Sequence, residues 1–153
     1  MTPQGKNTLE TILIVESDQG VRDVVRVILE RAGYSCLIAA SVEQAIRIES
    51  ATKGEIHFLL SGVMIMGKPG PDLATLLKKT RPEMRVMFMS GYPHGEMLFL
   101  NYGWHFIEKP FVPERLVAKL KEILHTPDRS QGEAQFDTRV KLKASEAGSA
   151  ETE

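Results

Sequence analysis

The chain has a single cysteine, Cys36, so no internal disulfide can form and a reducing compartment is the default reading, which suits the cytoplasm. Long hydrophobic runs are also missing. The longest apolar stretch, residues 56–66, is broken by Ser61 and Gly62 and falls well short of the roughly 18 residues of a membrane span. The first ten residues are polar and lack the apolar segment of a secretory signal. There is no excess of one charge: 19 Lys+Arg stand against 20 Asp+Glu, a net charge of -1. No chain-wide positive field is available to recruit phosphate backbones or anionic lipid, so neither nucleic acid nor membrane is expected as a partner. The four histidines, His57, His94, His105 and His125, share no metal-ligand spacing. Gly67-Lys68 does not complete a phosphate-binding loop, and Ser90, with Phe88 two positions before it, lacks the glycine of a nucleophile elbow. Zinc chemistry and serine hydrolysis are therefore not expected.

What is present is an ordinary globular composition, 42% hydrophobic and 25% charged in 153 residues, enough for one domain and an appendage. Residues 1–8 read as a flexible N-terminus and 9–125 as the domain. Beyond residue 125 the only large apolar residues are Phe136, Val140 and Leu142, too few to offset the entropy of ordering that stretch. Residues 126–153 are expected to be a polar, disordered tail, too short and polar to form an effector domain.

Inside 9–125, short apolar runs alternate with amphipathic stretches. Thr11-Ile12-Leu13-Ile14-Val15 reads as a buried strand, followed by Val21, Val24, Val25, Ile28 and Leu29 at helical spacing until Gly33 stops the helix. Residues 35–39 read as a strand. Ser41 can cap a helix carrying Val42, Ala45, Ile46 and Ile48, and residues 56–60 read as a third strand. Gly67-Lys68-Pro69-Gly70 is a turn cluster, ahead of a helix with Leu73, Leu76 and Leu77. Strands at 85–89 and 106–107 flank a short helix at 96–102. A last helix opens at Pro113 and turns Leu116, Val117, Leu120, Ile123 and Leu124 inward. Met64, Met66, Met84, Met87 and Met89 are expected in the core, as is Cys36 as a small hydrophobe. Repeated βα units imply a parallel sheet covered by helices on both faces, because the crossovers between parallel neighbours are the helices. Ligands of such sheets bind beyond the carboxyl ends of the strands. There stand Glu16-Ser17-Asp18, Ser61-Gly62, Ser90-Gly91 and Glu108-Lys109-Pro110.

Those residues carry a family resemblance. The chain resembles, from about residue 9 to 125, the receiver domains of bacterial two-component response regulators, and within them the subgroup fused to or partnering hybrid histidine kinases. The matching pieces are Ile12-Leu13-Ile14-Val15 followed by acids, Gly67 with Gly70-Pro71-Asp72-Leu73-Ala74, Met89-Ser90-Gly91-Tyr92, and Phe106-Ile107-Glu108-Lys109-Pro110-Phe111. The resemblance implies a doubly wound (βα)5 flavodoxin-like fold with strand order 2-1-3-4-5 and a cis Lys109-Pro110 bond. It also implies phosphoryl transfer to an Asp ending the third strand, with Mg²⁺ held by that Asp and two acids after the first strand. The metal would offset charge on the transferring group. Ser90 and Lys109 match the two phosphoryl-binding positions, and Phe106 the aromatic that switches with them.

The departure is at the centre of that chemistry. The acceptor position is Gly62, the two acid positions are Glu16 and Ser17, and Asp18 matches a third position that points away from the metal. Met66 replaces the family's usual proline. Glu16 with waters and a carbonyl near Met64 should hold Mg²⁺ poorly, so no cofactor beyond weak Mg²⁺ is expected. Lys109 is left with Glu16 and Asp18 as its negative partners; a structural Lys–Glu pair is the plainest outcome. The expectation is a non-enzymatic receiver-like domain acting by phosphorylation-independent protein interaction, with a histidine kinase, a phosphotransfer protein or an effector as partner. Tyr102, Trp104 and the last helix are the candidate interface, and a homodimer is a further option. Two alternatives stay open: phosphotransfer through a substitute acceptor, Asp18 or Glu16, and sensing of a small anion or nucleotide by the altered pocket.

Overall fold

The computed structural model describes residues 9–91 and 104–126. β1 (Thr11–Val15) leads into α1 (Gln19–Arg31), β2 (Ser35–Ala39) into α2 (Val42–Ala51), and β3 (Phe58–Gly62) into a ribbon of β4 (Met64–Ile65) and β5 (Lys68–Pro69). Then come α3 (Gly70–Lys78), β6 (Arg85–Ser90), β7 (His105–Glu108) and α4 (Pro113–His125). The main sheet has the order β2-β1-β3-β6-β7, and every neighbouring pair in it is parallel. With the ribbon left out of the count, this is the expected order 2-1-3-4-5 of the doubly wound flavodoxin-like fold.

Alternation along the strands divides the core between the two faces of the sheet. Leu13, Val15, Leu59, Val86 and Phe88 join Ala45 of α2 and Leu73, Ala74 and Leu77 of α3. Ile12, Ile14, Phe58, Leu60, Met87, Met89 and Ile107 join Val25 and Leu29 of α1 and Leu116, Leu120 and Ile123 of α4. Both faces are thus buried, as a parallel sheet requires.

The ends of the helices follow from local chemistry. Asp18 caps α1 by accepting from the Val21 N–H at 3.0 Å, and Ser41 caps α2 by accepting from the Gln44 N–H at 3.1 Å. At the other end of α1, Gly33 has φ 101°, and the N–H groups of Gly33 and Tyr34 donate back to the carbonyls of Glu30 and Leu29. This is the paired closure in which a glycine turns the chain left-handed and satisfies the last carbonyls.

Several expectations need correction. The third strand begins at Phe58 rather than Ile56 and runs through Ser61 and Gly62, which pair with Phe88 and Met89. The turn cluster is displaced: Lys68 and Pro69 form a strand of the ribbon, Gly70 opens α3, and the turn itself is Met66-Gly67. With φ 49° and 82°, those two residues meet the demand of a two-residue hairpin loop for left-handed backbone at both positions. Met64 and Met66 are exposed rather than in the core, because the ribbon lifts them off the sheet, whereas Met84, Met87 and Met89 are buried. Val24 and Leu76 are also exposed, each on the outer flank of its helix. The expected helix at 96–102, His94, Tyr102, the N-terminal residues 1–8 and the tail beyond Thr126 lie outside the described residues. Among the described residues no helix is long and apolar enough to cross a membrane.

Candidate functional site

The carboxyl ends of β1, β3, β6 and β7 bring the predicted residues to one edge of the sheet, and Glu16 is the most constrained of them. It follows β1 directly and is buried, 4% exposed. Its backbone N–H donates to the Ala39 carbonyl at 3.1 Å, extending the ladder to β2. Its own carbonyl accepts from the Arg22 guanidinium at 2.7 Å. One carboxylate oxygen, Oε2, accepts from the Asp18 N–H at 3.0 Å, and the other, Oε1, lies 3.2 Å from Lys109 Nζ. A carboxylate is buried in a protein only when it is paired and hydrogen-bonded. Glu16 meets both conditions.

Gly62, the last residue of β3, lies beneath this pair. A Cβ built on Gly62 would stand 3.2 Å from Glu16 Oε1, 3.8 Å from its Cδ and 3.4 Å from the Met64 carbonyl oxygen. The Glu16 carboxylate therefore occupies the direction in which a side chain at position 62 would project. Lys109 approaches from the carboxyl end of β7, the edge strand beyond β6. Its backbone N–H donates to the Ser90 carbonyl at 2.7 Å, and the bond to Pro110 is cis, as expected. Its side chain is 26% exposed. Ser90 ends β6 and is buried.

The remaining candidates are placed elsewhere. Ser17 is exposed, and the Asp18 carboxylate is engaged as the cap of α1, so neither faces the pair. Phe106 and Trp104 are half-buried against the α2–α3 side of the core. Trp104 meets Phe88 edge-on with ring centroids 5.6 Å apart. It therefore packs across the sheet from α4, not against it. Cys36 is half-buried, and burial above all, with Glu30 nearby, pushes its thiol up to about 12. That is the behaviour of a packed residue rather than a nucleophile.

Two residues of the site escaped the sequence reading. Arg22 fixes the loop after β1 by donating to the carbonyls of Glu16 and Ser17 at 2.7 and 3.3 Å. Its position four residues after Asp18, facing back over the first turn of α1, was the available signal. Gly70 lets α3 start against the end of β3: its N–H donates to the Val63 carbonyl at 2.7 Å, and a Cβ there would meet the Gly62 carbonyl oxygen at 2.3 Å. Glycine is the residue for such close backbone approach.

Comparison with known proteins then decides the family. The model of the response regulator receiver domain matches residues 12–121. The chain belongs to that family. This receiver domain is 32% identical over 121 residues to the sensor kinase CckA of Brucella abortus, covering 77% of this chain and 13% of that one. It is 32% identical over 133 residues to the phosphate regulon transcriptional regulatory protein PhoB of Pseudomonas aeruginosa, covering 84% and 57%. The chain thus spans only part of these relatives. Among solved structures, the receiver domain of the hybrid histidine kinase CckA is 33% identical with a TM-score of 0.65, covering 75% of this chain and 99% of that one. A CheY-like receiver domain protein of Methanospirillum hungatei is 28% identical with a TM-score of 0.67, covering 83% and 99%.

The Mg²⁺ implied by the family can be tested against the side chains present. Mg²⁺ takes near-octahedral oxygen donors, one or two of them carboxylates. Here the carboxylate at the crevice is already shared between an N–H and an ammonium, and Gly62 and Ser17 supply none. Among the described residues no three His, Cys, Asp or Glu are grouped to hold a metal ion. The donors do not fit the metal.

Proposed function

We propose that this receiver domain works in two-component signalling as a protein-interaction module without accepting a phosphoryl group. The observation that supports the reading is Gly62, which the resemblance aligns with the family's acceptor position: it ends β3, has no side chain, and a Cβ on it would stand 3.2 Å from the Glu16 carboxylate. Transfer needs an oxygen nucleophile facing the crevice and a cation to offset the developing charge. Position 62 offers no nucleophile, and the donor set does not suit Mg²⁺. The module is therefore neither an enzyme nor dependent on a cofactor. The other carboxylates are committed, Asp18 to the cap of α1 and Glu16 to Lys109, which weighs against a substitute acceptor. Lys109 is likewise engaged, which weighs against an anion sensor.

Without a phosphoryl group the two-state switch of the family has no covalent source of bias, since a shift from 1:99 to 99:1 takes about 5.5 kcal/mol of differential binding. The partner itself must select the binding conformation. A histidine kinase, a phosphotransfer protein or an effector fits this role, bound in the cytoplasm at the β7 edge of the sheet, where Trp104 leads into the strand. Intact-mass analysis after incubation with acetyl phosphate and Mg²⁺ tests the reading. The expected result is an unchanged mass; a stoichiometric phosphoryl adduct on the folded chain overturns it.

A further inference from the structure

We propose that a groove at the amino-terminal end of the sheet is the docking site of the chain's own segment 136–143, which passes beneath β1, β3 and β6 after the chain leaves α4. The groove lies at the opposite end of the strands from the crevice, and the inference does not depend on the reading of Gly62. Its volume is about 440 Å³, and its lining includes the residues that lead into β1, β3 and β6. The two faces of the sheet both contribute walls, Leu124 from α4 and Thr80 and Arg81 from beyond the end of α3. Leu124 and the exposed Pro82 give it apolar surface above the buried Ile56 and Met84.

The charged lining is Glu10, Glu55 and Glu83 against Arg81 and Arg85. Both guanidinium groups are spent on the domain itself: Arg81 on Glu49 and the carbonyls of Thr52 and Gly54, and Arg85 on the Ile123 carbonyl. His57 accepts from the Thr11 N–H through Nδ1 at 2.9 Å, so that nitrogen carries no proton, and Nε2 lies 3.0 Å from Glu55 Oε1. Glu10 has His125 at 3.7 Å. Glu55 and Glu83 are exposed, which leaves the rim negative.

Two features of the chain select the occupant. α4 ends at His125, one residue past Leu124, so the following segment starts beside the groove. Residues 127–153 hold four basic side chains, and three of them, Arg139, Lys141 and Lys143, alternate with Val140 and Leu142. Extended, such a stretch has one basic and one apolar face, and Phe136, the only aromatic residue beyond 126, stands just before it. The ten residues from Thr126 to Phe136 can span about 33 Å, whereas three adjacent strands are about 10 Å across. Tethering holds the segment at an effective concentration in the millimolar range, so a modest contact suffices. Phe136 is assigned to the apolar surface and the basic face to Glu55 and Glu83.

The test uses the full chain, isotopically labelled at nitrogen, and reads the heteronuclear amide NOE along residues 127–153 together with the amide shifts of the domain. Values at 137–143 should approach those of the domain, while values at 146–153 stay low. Phe136→Ala should drop the values at 137–143 to those at 146–153 and shift the amides of Ile56, His57 and Met84. The double variant Glu55→Lys, Glu83→Lys should cause the same drop, as should raised salt. Phe136 lies outside the domain and both glutamates are exposed, so folding is not at stake. Low values at 137–143 in the parent overturn the proposal, and so do high values that the groove variants leave unmoved. High values lost on dilution would assign the groove to the tail of a second copy and overturn docking within one chain.

Discussion

Gly70→Ala should damage the domain severely, since among the described glycines Gly70 is the one where an added Cβ would meet backbone closest. The added Cβ would stand 2.3 Å from the Gly62 carbonyl oxygen, 3.0 Å from Phe88 Cε1 and 3.1 Å from Ser61 Oγ. The first of these neighbours is backbone in a strand paired on both sides, β3 between β1 and β6, so it cannot move without disturbing two ladders. Forcing a methyl group into a packed site costs about 1–3 kcal/mol. Displacing the start of α3 also breaks the 2.7 Å bond from the Gly70 N–H to the Val63 carbonyl, a further loss of about 1 kcal/mol. The total is about 3 kcal/mol, equivalent to a fall in Tm of roughly 10 °C for a domain of this size. Urea and thermal unfolding followed by circular dichroism would measure it. Gly54→Ala is the control, since a Cβ there meets nothing within 4 Å, and a change within about 0.5 kcal/mol is expected. A loss below about 1 kcal/mol for Gly70→Ala would refute the close-approach argument.

Three further outcomes follow from the same geometry. Arg81→Met should cost about 2–4 kcal/mol by urea unfolding, since it leaves the Glu49 carboxylate without its cation, with only the Thr80 hydroxyl at 3.0 Å still donating to the Oε2 that accepted from Arg81 Nε at 2.9 Å, and frees the carbonyls of Thr52 and Gly54; a neutral result would show the clamp to be incidental. Asp18→Ala should cost about 1 kcal/mol by loss of the α1 cap, and an unchanged stability would refute the capping role. Because burial pushes the Cys36 thiol up to about 12 in the folded chain, the unfolded chain loses its thiol proton first, so stability should fall as pH rises through about 8.5. Ellman's reagent should accordingly react slowly with the folded chain and rapidly in urea, and fast labelling of the folded chain would contradict the burial.

The doubly wound architecture was legible because the elements of the main sheet and the helices around it carried local signals. β1 has its β-branched run, α1 its apolar spacing and its glycine stop, and α4 its proline start with Leu116, Leu120 and Ile123 at helical spacing. Apolar residues at helical spacing alone do not tell which flank of a helix meets the sheet, and Val24 and Leu76 lie on the exposed flank. The ribbon was hidden because Met66 is not a residue that announces left-handed backbone, and only the pairing of Met64 with Pro69 imposes it. At the crevice, sequence identified Glu16, Gly62, Ser90 and Lys109 as strand-end residues. That Glu16 would be buried and lie over Gly62 depends on side chains meeting from elements remote in sequence, and no local pattern encodes it. That Trp104, a candidate interface residue by sequence, is half-buried was hidden for a similar reason, since its edge-on partner Phe88 belongs to the neighbouring strand.

The contact between Glu16 and Lys109 also has a mechanical meaning. It joins the ends of β1 and β7, strands separated in the sheet by β3 and β6, through residues 93 positions apart in the chain. An open twisted sheet can flex like a fan, its strands spreading at one edge while they close at the other. A tie running crosswise over the two middle strands acts as a tension member against that spreading. Under a pulling force on the termini, β1 and β7 would share load directly through this side-chain bridge as well as in series through the ladders of β3 and β6.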